Sequence, residues 1–257
     1  MSRDLEYDVR GSTAFITFNR PASRNAMTWE MYQALHDACE KIDGDGEVRV
    51  AVLRGAGGKA FIAGTDIHQF LEFDGPADGV EYERRIDEVI DRLEALRAPS
   101  IAVVEGYAVG GGLVIAAACD LRIAAPTARF GLPIARTLGN CVSMSTCARL
   151  VALIGPARAL ELVYTAKFVE GRAAQQLGLV TEVVQPEEMD AHVDDLCQRL
   201  ASHAPTTMWA TKEMIRRLRS HRLPDADDLI QLCYGSADFR EGVAAFVAKR
   251  PPVWVGR

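Results

Sequence analysis

Three consecutive glycines, Gly110-Gly111-Gly112, stand between two apolar segments, and few features of a chain restrict its folding more. Ser100–Val104 before them has the length and composition of a buried strand, with Glu105 to Val109 leading on to the glycines. Leu113–Cys119 after them is too short to span a bilayer and reads as a buried helix. Glycine removes the Cβ, so backbone N–H groups at such a strand-to-helix junction can approach a ligand closely. The first N–H groups of a helix have no intrahelical acceptor and sit at the positive end of its dipole. The junction can therefore cradle a developing oxyanion, or it can simply be a close-packed turn.

A second segment has the same form. The strand-like run Val48–Leu53 leads through Gly57-Gly58 and Ala60-Phe61-Ile62-Ala63-Gly64-Thr65 to a helix start with Asp66 in its first turn. Two such junctions can converge on one carbonyl oxygen. Around them the pattern is a hairpin (Glu6–Arg10 and Ala14–Phe18), a helix capped by Thr28 running to about Ile42, and an amphipathic helix over Val80–Leu96 stopped by Pro99. Strands and helices alternate as far as Val184, which predicts an α/β architecture with parallel pairing. Met189–Ala201, Thr206–Leu218 and Asp225–Lys249 then read as helices. The expected division is an α/β core over residues 1–195 and a helical region over 196–257.

Composition excludes several classes of function. The net charge is −6 and no Lys/Arg-rich run stands out, which argues against nucleic acid and against a membrane surface as the partner. Met1–Arg10 lacks an apolar signal core, and the six cysteines lack metal-ligand spacing. A reducing cytoplasmic location, with no metal, is expected.

The two glycine segments, in this order, resemble the crotonase superfamily, the enoyl-CoA hydratases and isomerases. Arg20-Pro21 with Arg24-Asn25-Ala26-Met27, Cys119–Ala124, Leu153–Ala159, Gly178–Val184 and Phe246–Arg250 extend the resemblance over essentially the whole chain. It implies a spiral of ββα units with a C-terminal all-helical trimerisation region, assembled as a trimer or a dimer of trimers. It also implies an acyl-CoA thioester as substrate and no separate cofactor, coenzyme A being part of the substrate. The backbone amides of Thr65 and Gly111 would form the oxyanion hole that stabilises a thioester enolate. Arg24, Ala26, Ala63, Gly64, Asp66 and Ile67 would line the coenzyme A path, with Phe246 and Lys249 reaching the nucleotide of a neighbouring subunit. For Arg24 and Lys249 a solvated surface role is the alternative.

One departure from the pattern matters most. Hydratases of the family carry two glutamates, one just after the glycines and one after a Phe-Gly-x-Pro segment. Here those positions are Val114 and Ile134, which cannot do acid/base work. The third family acid, used in other branches, falls near Val142 or Ser143, and Ile134–Ser145 contains no acid at all. The acyl pocket would be walled by Val114, Ile134, Cys141 and Ser143. Polar groups nearby admit two roles each. Arg136 is a carboxylate clamp or a surface ion-pair partner, and Asn140 is a ligand or a helix cap. Cys141 is a nucleophile or a packing thiol. His68 faces the acyl group or solvent. Three functions remain open: a hydratase or isomerase-like enzyme with rearranged acid/base groups, a decarboxylase of the methylmalonyl-CoA type, and a non-catalytic acyl-CoA binder.

Overall fold

The computed structural model describes residues 3–220 and 225–255. The chain opens as an antiparallel hairpin, β1 (Leu5–Arg10) and β2 (Thr13–Phe18), reversing at Gly11, whose φ of 58° is the left-handed conformation such a turn needs. Thr28 caps α1 (Trp29–Gly44), its side chain accepting from Met31 N. One unit then recurs. β3 (Val50–Gly55) and β4 (Ala60–Ile62) precede α2 (Pro76–Glu94). β5 (Ser100–Val104) and β6 (Tyr107–Val109) precede α3 (Gly111–Ala118). β7 (Leu121–Ala124) and β8 (Arg129–Gly131) precede α4 (Ile134–Thr137) and α5 (Met144–Thr165). β9 (Val169–Glu170), α6 (Gly171–Gln176) and β10 (Glu182–Val183) complete the core, followed by α7 (Met189–Ala201), α8 (Pro205–Ser220), α9 (Asp227–Tyr234) and α10 (Ala237–Val247).

In each unit the first strand enters a six-stranded sheet, ordered β1-β2-β3-β5-β7-β10, and the second enters a four-stranded sheet, ordered β4-β6-β8-β9. Pairing from β2 through β10, and from β4 through β8, is parallel. The expected ββα spiral with a helical C-terminal region is therefore the fold. The repeat escapes the sequence because the second strands are three residues long, too short for any periodicity to register.

The large sheet is buried on both faces, with a period of two. Ala51, Leu53, Ala102, Val104 and Ala124 face the main core, while Val50, Val52, Ile101, Val103 and Ile123 face a second one. That second core is closed by Met189, Val193, Leu196 and Cys197 of α7. Each such Val, Ile or Leu stabilises the fold by about 1.5–3 kcal/mol. α7 thus belongs physically to the sheet, and the division drawn between residues 195 and 196 falls inside it. The helix expected over Asp225–Lys249 is two helices, broken at Gly235-Ser236. There Ser236 caps α10 by accepting from Phe239 N. α9 packs on α2, burying Ile230 and Tyr234, whereas Met214, Ile215, Leu218, Leu229 and Leu232 stay exposed on the single chain. Among the described residues no helix is long and apolar enough to cross a membrane.

Candidate active site

The two glycine junctions lie side by side because β4 and β6 are parallel neighbours. At Gly112 the approach is closer than a side chain would permit: a Cβ there would lie 2.1 Å from Ile62 O, whereas one on Gly110 would meet Gly64 Cα at 3.7 Å, an ordinary contact distance. A Cβ on Gly111 would lie 3.3 Å from Thr65 Oγ1 and 2.5 Å from the Tyr32 hydroxyl. Gly111 is the first residue of α3, where an N–H has no intrahelical acceptor. Thr65 bridges to Met27, whose N donates to Gly64 O and whose O accepts from Asp66 N. Among the described residues neither the Thr65 nor the Gly111 N–H has a protein acceptor.

Behind them lies a buried hydroxyl chain that sequence reading missed. Thr65 Oγ1 is 2.8 Å from the Tyr32 hydroxyl and 2.9 Å from the Tyr82 hydroxyl. Burial pushes the Tyr32 phenol up to about 12, so it stays protonated and acts as donor or acceptor without charge. The chain holds the Thr65 side chain and fixes the peptide that carries it.

A cavity of about 610 Å³ opens onto both junctions. Its outer wall includes Arg20, Arg24, Ala26, Ala63, Gly64, Asp66, Ile67, His68 and Phe246. Asn25 sets this wall: its buried amide accepts from Arg20 N and donates to Ala56 O and Ala60 O, which ties the Arg20–Met27 loop to the β3–β4 turn. Arg24 and Asn25 are left-handed, with φ of 51° and 58°, and the Arg24 guanidinium lies 5.6 Å from the Tyr107 ring. Burial raises the Asp66 carboxyl, but bonds from His68 and Arg20 outweigh it, so the group sits below the ordinary range and stays ionised.

The inner wall is apolar, built from Val114, Leu132, Ile134 and Leu138, with Asn140 and Cys141 at one side. Glu83 of α2, 6% exposed, also lines the cavity. Tyr234 donates its hydroxyl to Glu83 Oε1 at 2.6 Å, and Ser143 N donates to Oε2 at 2.9 Å. Burial raises the Glu83 carboxyl to about 8, with the Asp87 charge adding to the shift and the two hydrogen bonds opposing it. At neutral pH this acid is mostly protonated. A signal for it exists in the sequence: Glu83 follows Val80 by three and precedes Ile86 by three and Ile90 by seven, so it falls on the buried stripe of its own helix.

Several sequence-derived placements need correction. Arg136 is on the solvent side of α4 and does not line the cavity, because the inward stripe of that single turn is taken by Ile134. Ser143 does not line this cavity. It is the N-cap of α5, accepting from Thr146 N and donating its hydroxyl to Asp87 at 2.7 Å. Asn140 is thus not the cap; its side-chain amide donates to Cys141 O and to the Tyr234 hydroxyl, and its Oδ1 is buried without a partner among the described residues. Phe246 lines the cavity of its own chain, and Lys249 does not line it. Cys141 does line it, but the adjacent Cys233 thiol and burial push its own thiol far up, so it is no thiolate. His68 is exposed and bonded to Asp66. Glu105 pairs with Arg54, and Asp120 is held by Ser100 and Lys212, both structural roles. A second hollow, about 560 Å³, lies under α8 beside the Glu94–Arg149–Arg219 ion cluster, away from both junctions.

The family model for enoyl-CoA hydratase/isomerase matches residues 8–257. A short-chain-enoyl-CoA hydratase of Clostridium acetobutylicum is 33% identical over 95% of this chain and 94% of its own. A crotonyl-CoA hydratase of Syntrophomonas wolfei is 32% identical over 95% of each. Among solved structures, methylmalonyl-CoA decarboxylase in complex with 2-nitronate-propionyl-CoA superposes with a TM-score of 0.92 at 26% identity, covering 100% of both chains. With the ββα spiral, the paired glycine junctions and the cavity between them all in place, the chain belongs to the enoyl-CoA hydratase/isomerase family.

Proposed function

We propose that this protein binds acyl-CoA thioesters and forms the thioester enolate in a hole made by the Thr65 and Gly111 N–H groups. The observation that carries the reading is the pairing of two acceptor-free N–H groups at adjoining glycine junctions on one cavity. The thioester oxygen would accept from both, and charge would move onto it as the enolate forms. Each such donor is worth about 3–4 kcal/mol in the transition state. Arg20, Arg24 and His68 at the outer wall suit the phosphates of coenzyme A, and the cavity volume suits an acyl-pantetheine arm. The exposed apolar residues of α8 and α9 support assembly with further copies of the chain, as a trimer or dimer of trimers.

A second reading, CoA-linked decarboxylation, is favoured by one observation: Val114 and Ile134 leave an apolar inner wall where an ionised α-carboxylate is destabilised. Loss of CO₂ breaks the bond from the α-carbon to the carboxylate and leaves the electron pair as the same enolate, so no base is needed to start. The structural likeness to methylmalonyl-CoA decarboxylase points the same way. Side-by-side turnover of crotonyl-CoA and methylmalonyl-CoA tests both. Crotonyl-CoA hydration is expected to be slower than in two-glutamate hydratases by about 10²–10⁴-fold. Ordinary hydratase rates would overturn the claim that the lost glutamates matter. Acyl-CoA binding without turnover of either compound, and without α-proton exchange, would leave only the binder.

A further inference from the structure

We infer that Glu83, on α2, is the group that carries the proton to and from the α-carbon of the bound acyl-CoA, from a position in the fold unrelated to the two lost glutamates. This rests on the enolate-hole reading above. Among the described residues lining the inner cavity, Glu83 is the carboxyl group, and it is set from three sides. α9 supplies the Tyr234 hydroxyl at 2.6 Å and the loop before α5 supplies Ser143 N at 2.9 Å. α2 itself places Glu83 on its buried face. Each carboxylate oxygen keeps a lone pair beyond these bonds, which is the capacity a proton acceptor needs. Beside it, Asn140 Nδ2 donates to the Tyr234 hydroxyl at 3.3 Å and leaves Oδ1 as a buried open acceptor on the cavity. An acceptor beside Glu83 could hold a polar group of the bound acyl chain.

The step balances without a further reactant. In enolisation the α-C–H bond breaks, its electron pair moves to the thioester oxygen held by the two N–H groups, and the proton goes to Glu83. In the reverse direction Glu83 returns it. The groups facing Glu83 are Tyr32 of α1, Tyr82 and Asp87 of α2, Cys141 and Ser143 of the loop, and Tyr234 of α9. Arg84, Glu88, Asp91, Asp225 and Asp227 line the outer recess that also reaches it. No basic side chain bonds to it among the described residues, so the carboxyl keeps its proton to about pH 8.

The test is exchange of the α-protons of butyryl-CoA in D₂O, followed by mass spectrometry on the full-length protein. Exchange needs the carboxylate, so its rate is expected to be low at pH 6, to rise through about 8 and then to level off. Glu83→Gln should lower the plateau by about 10²–10⁴-fold while butyryl-CoA binding, read by calorimetry, is kept. Tyr234→Phe removes a bond that stabilises the carboxylate, so the midpoint of the profile should move upward, which a merely structural tyrosine would not do. Where Glu83→Gln fails to fold, Glu83→Asp, which draws the carboxyl back by one methylene, should cut the rate and keep the pH dependence. Exchange by Glu83→Gln at the wild-type rate and profile would overturn the role of Glu83 and leave the hole intact. No exchange by wild-type protein that binds butyryl-CoA would overturn the role of Glu83, and absence of methylmalonyl-CoA turnover besides would overturn the hole itself.

Discussion

Replacing Gly112 with alanine sets two physical effects against each other and asks which wins. Gly112 is the second residue of α3 and has an ordinary helical backbone. By helix propensity alone, Gly112→Ala should stabilise the protein by about 0.8–1 kcal/mol. The structure says otherwise. The new Cβ would lie 2.1 Å from Ile62 O, 2.8 Å from Ile62 C and 2.8 Å from Ile62 Cβ. These atoms are backbone and branch point of a strand, not the end of a flexible chain, so α3 and β4 must part by about 1 Å to restore contact distance. Overpacking of this kind costs about 1–3 kcal/mol, which exceeds or cancels the propensity gain. The larger effect falls on activity. Thr65 follows Ile62 by three residues and Gly111 precedes Gly112 by one, so the same shift pulls the two N–H groups apart. A misplacement of about 1 Å can lower kcat by about 10²-fold. Thermal melts and α-proton exchange on Gly112→Ala check both parts. A melting temperature above wild type with unchanged exchange would refute both the close approach and the hole built on it.

Stability should also depend on pH in a specific direction. Glu83 is raised from 4.5 to about 8 and Asp87 from 3.8 to about 6, so each favours folding below its unfolded value and loses that contribution as pH rises through its folded one. Urea midpoints should therefore fall as pH rises from about 5 to about 8, level off above that, and fall less in Glu83→Gln. Glu94 runs the other way: burial raises it, but Arg149 and Arg219 outweigh this and hold it below its ordinary value, so its contribution is present above the unfolded value and is lost on acidification. Glu94→Gln would leave the 1% exposed Arg149 with Asp91, at 3.7 Å, as its remaining carboxylate partner, and should cost about 3 kcal/mol by chemical denaturation. Finally, Leu218 and Leu232, 81% and 71% exposed, should be covered in solution by other copies of the chain. Light scattering is expected to report a trimer or larger assembly, and Leu218→Glu with Leu232→Glu a smaller one. A monomeric wild type would refute the assembly.

Much of this protein is written locally in its sequence, where the physics is also local. The Gly11 reversal, the Thr28 cap, the buried run Ser100–Val104 and the two glycine junctions are each decided by a few adjacent residues, through φ, capping bonds or unbroken apolar character. That Val114 and Ile134 offer no acid/base group is likewise plain from residue type, and both residues do line the cavity. The tertiary structure decided what depends on distant segments meeting. Strands of two or three residues, such as β4, β6, β8 and β9, carry no period of their own and exist only because neighbours complete their hydrogen bonds. Arg136 and Ser143 looked alike as polar residues near a pocket, yet one turn of α4 sends Arg136 outward and the capping bond draws Ser143 into the start of α5. Glu83, Tyr234 and Ser143 are separated by 60 or more residues, and only the packing of α9 and the α5 cap onto α2 brings them into one hydrogen-bonded group. A buried carboxyl with a raised pKa is a property of that enclosure, because desolvation and partners act through space and leave no trace in the order of residues along the chain.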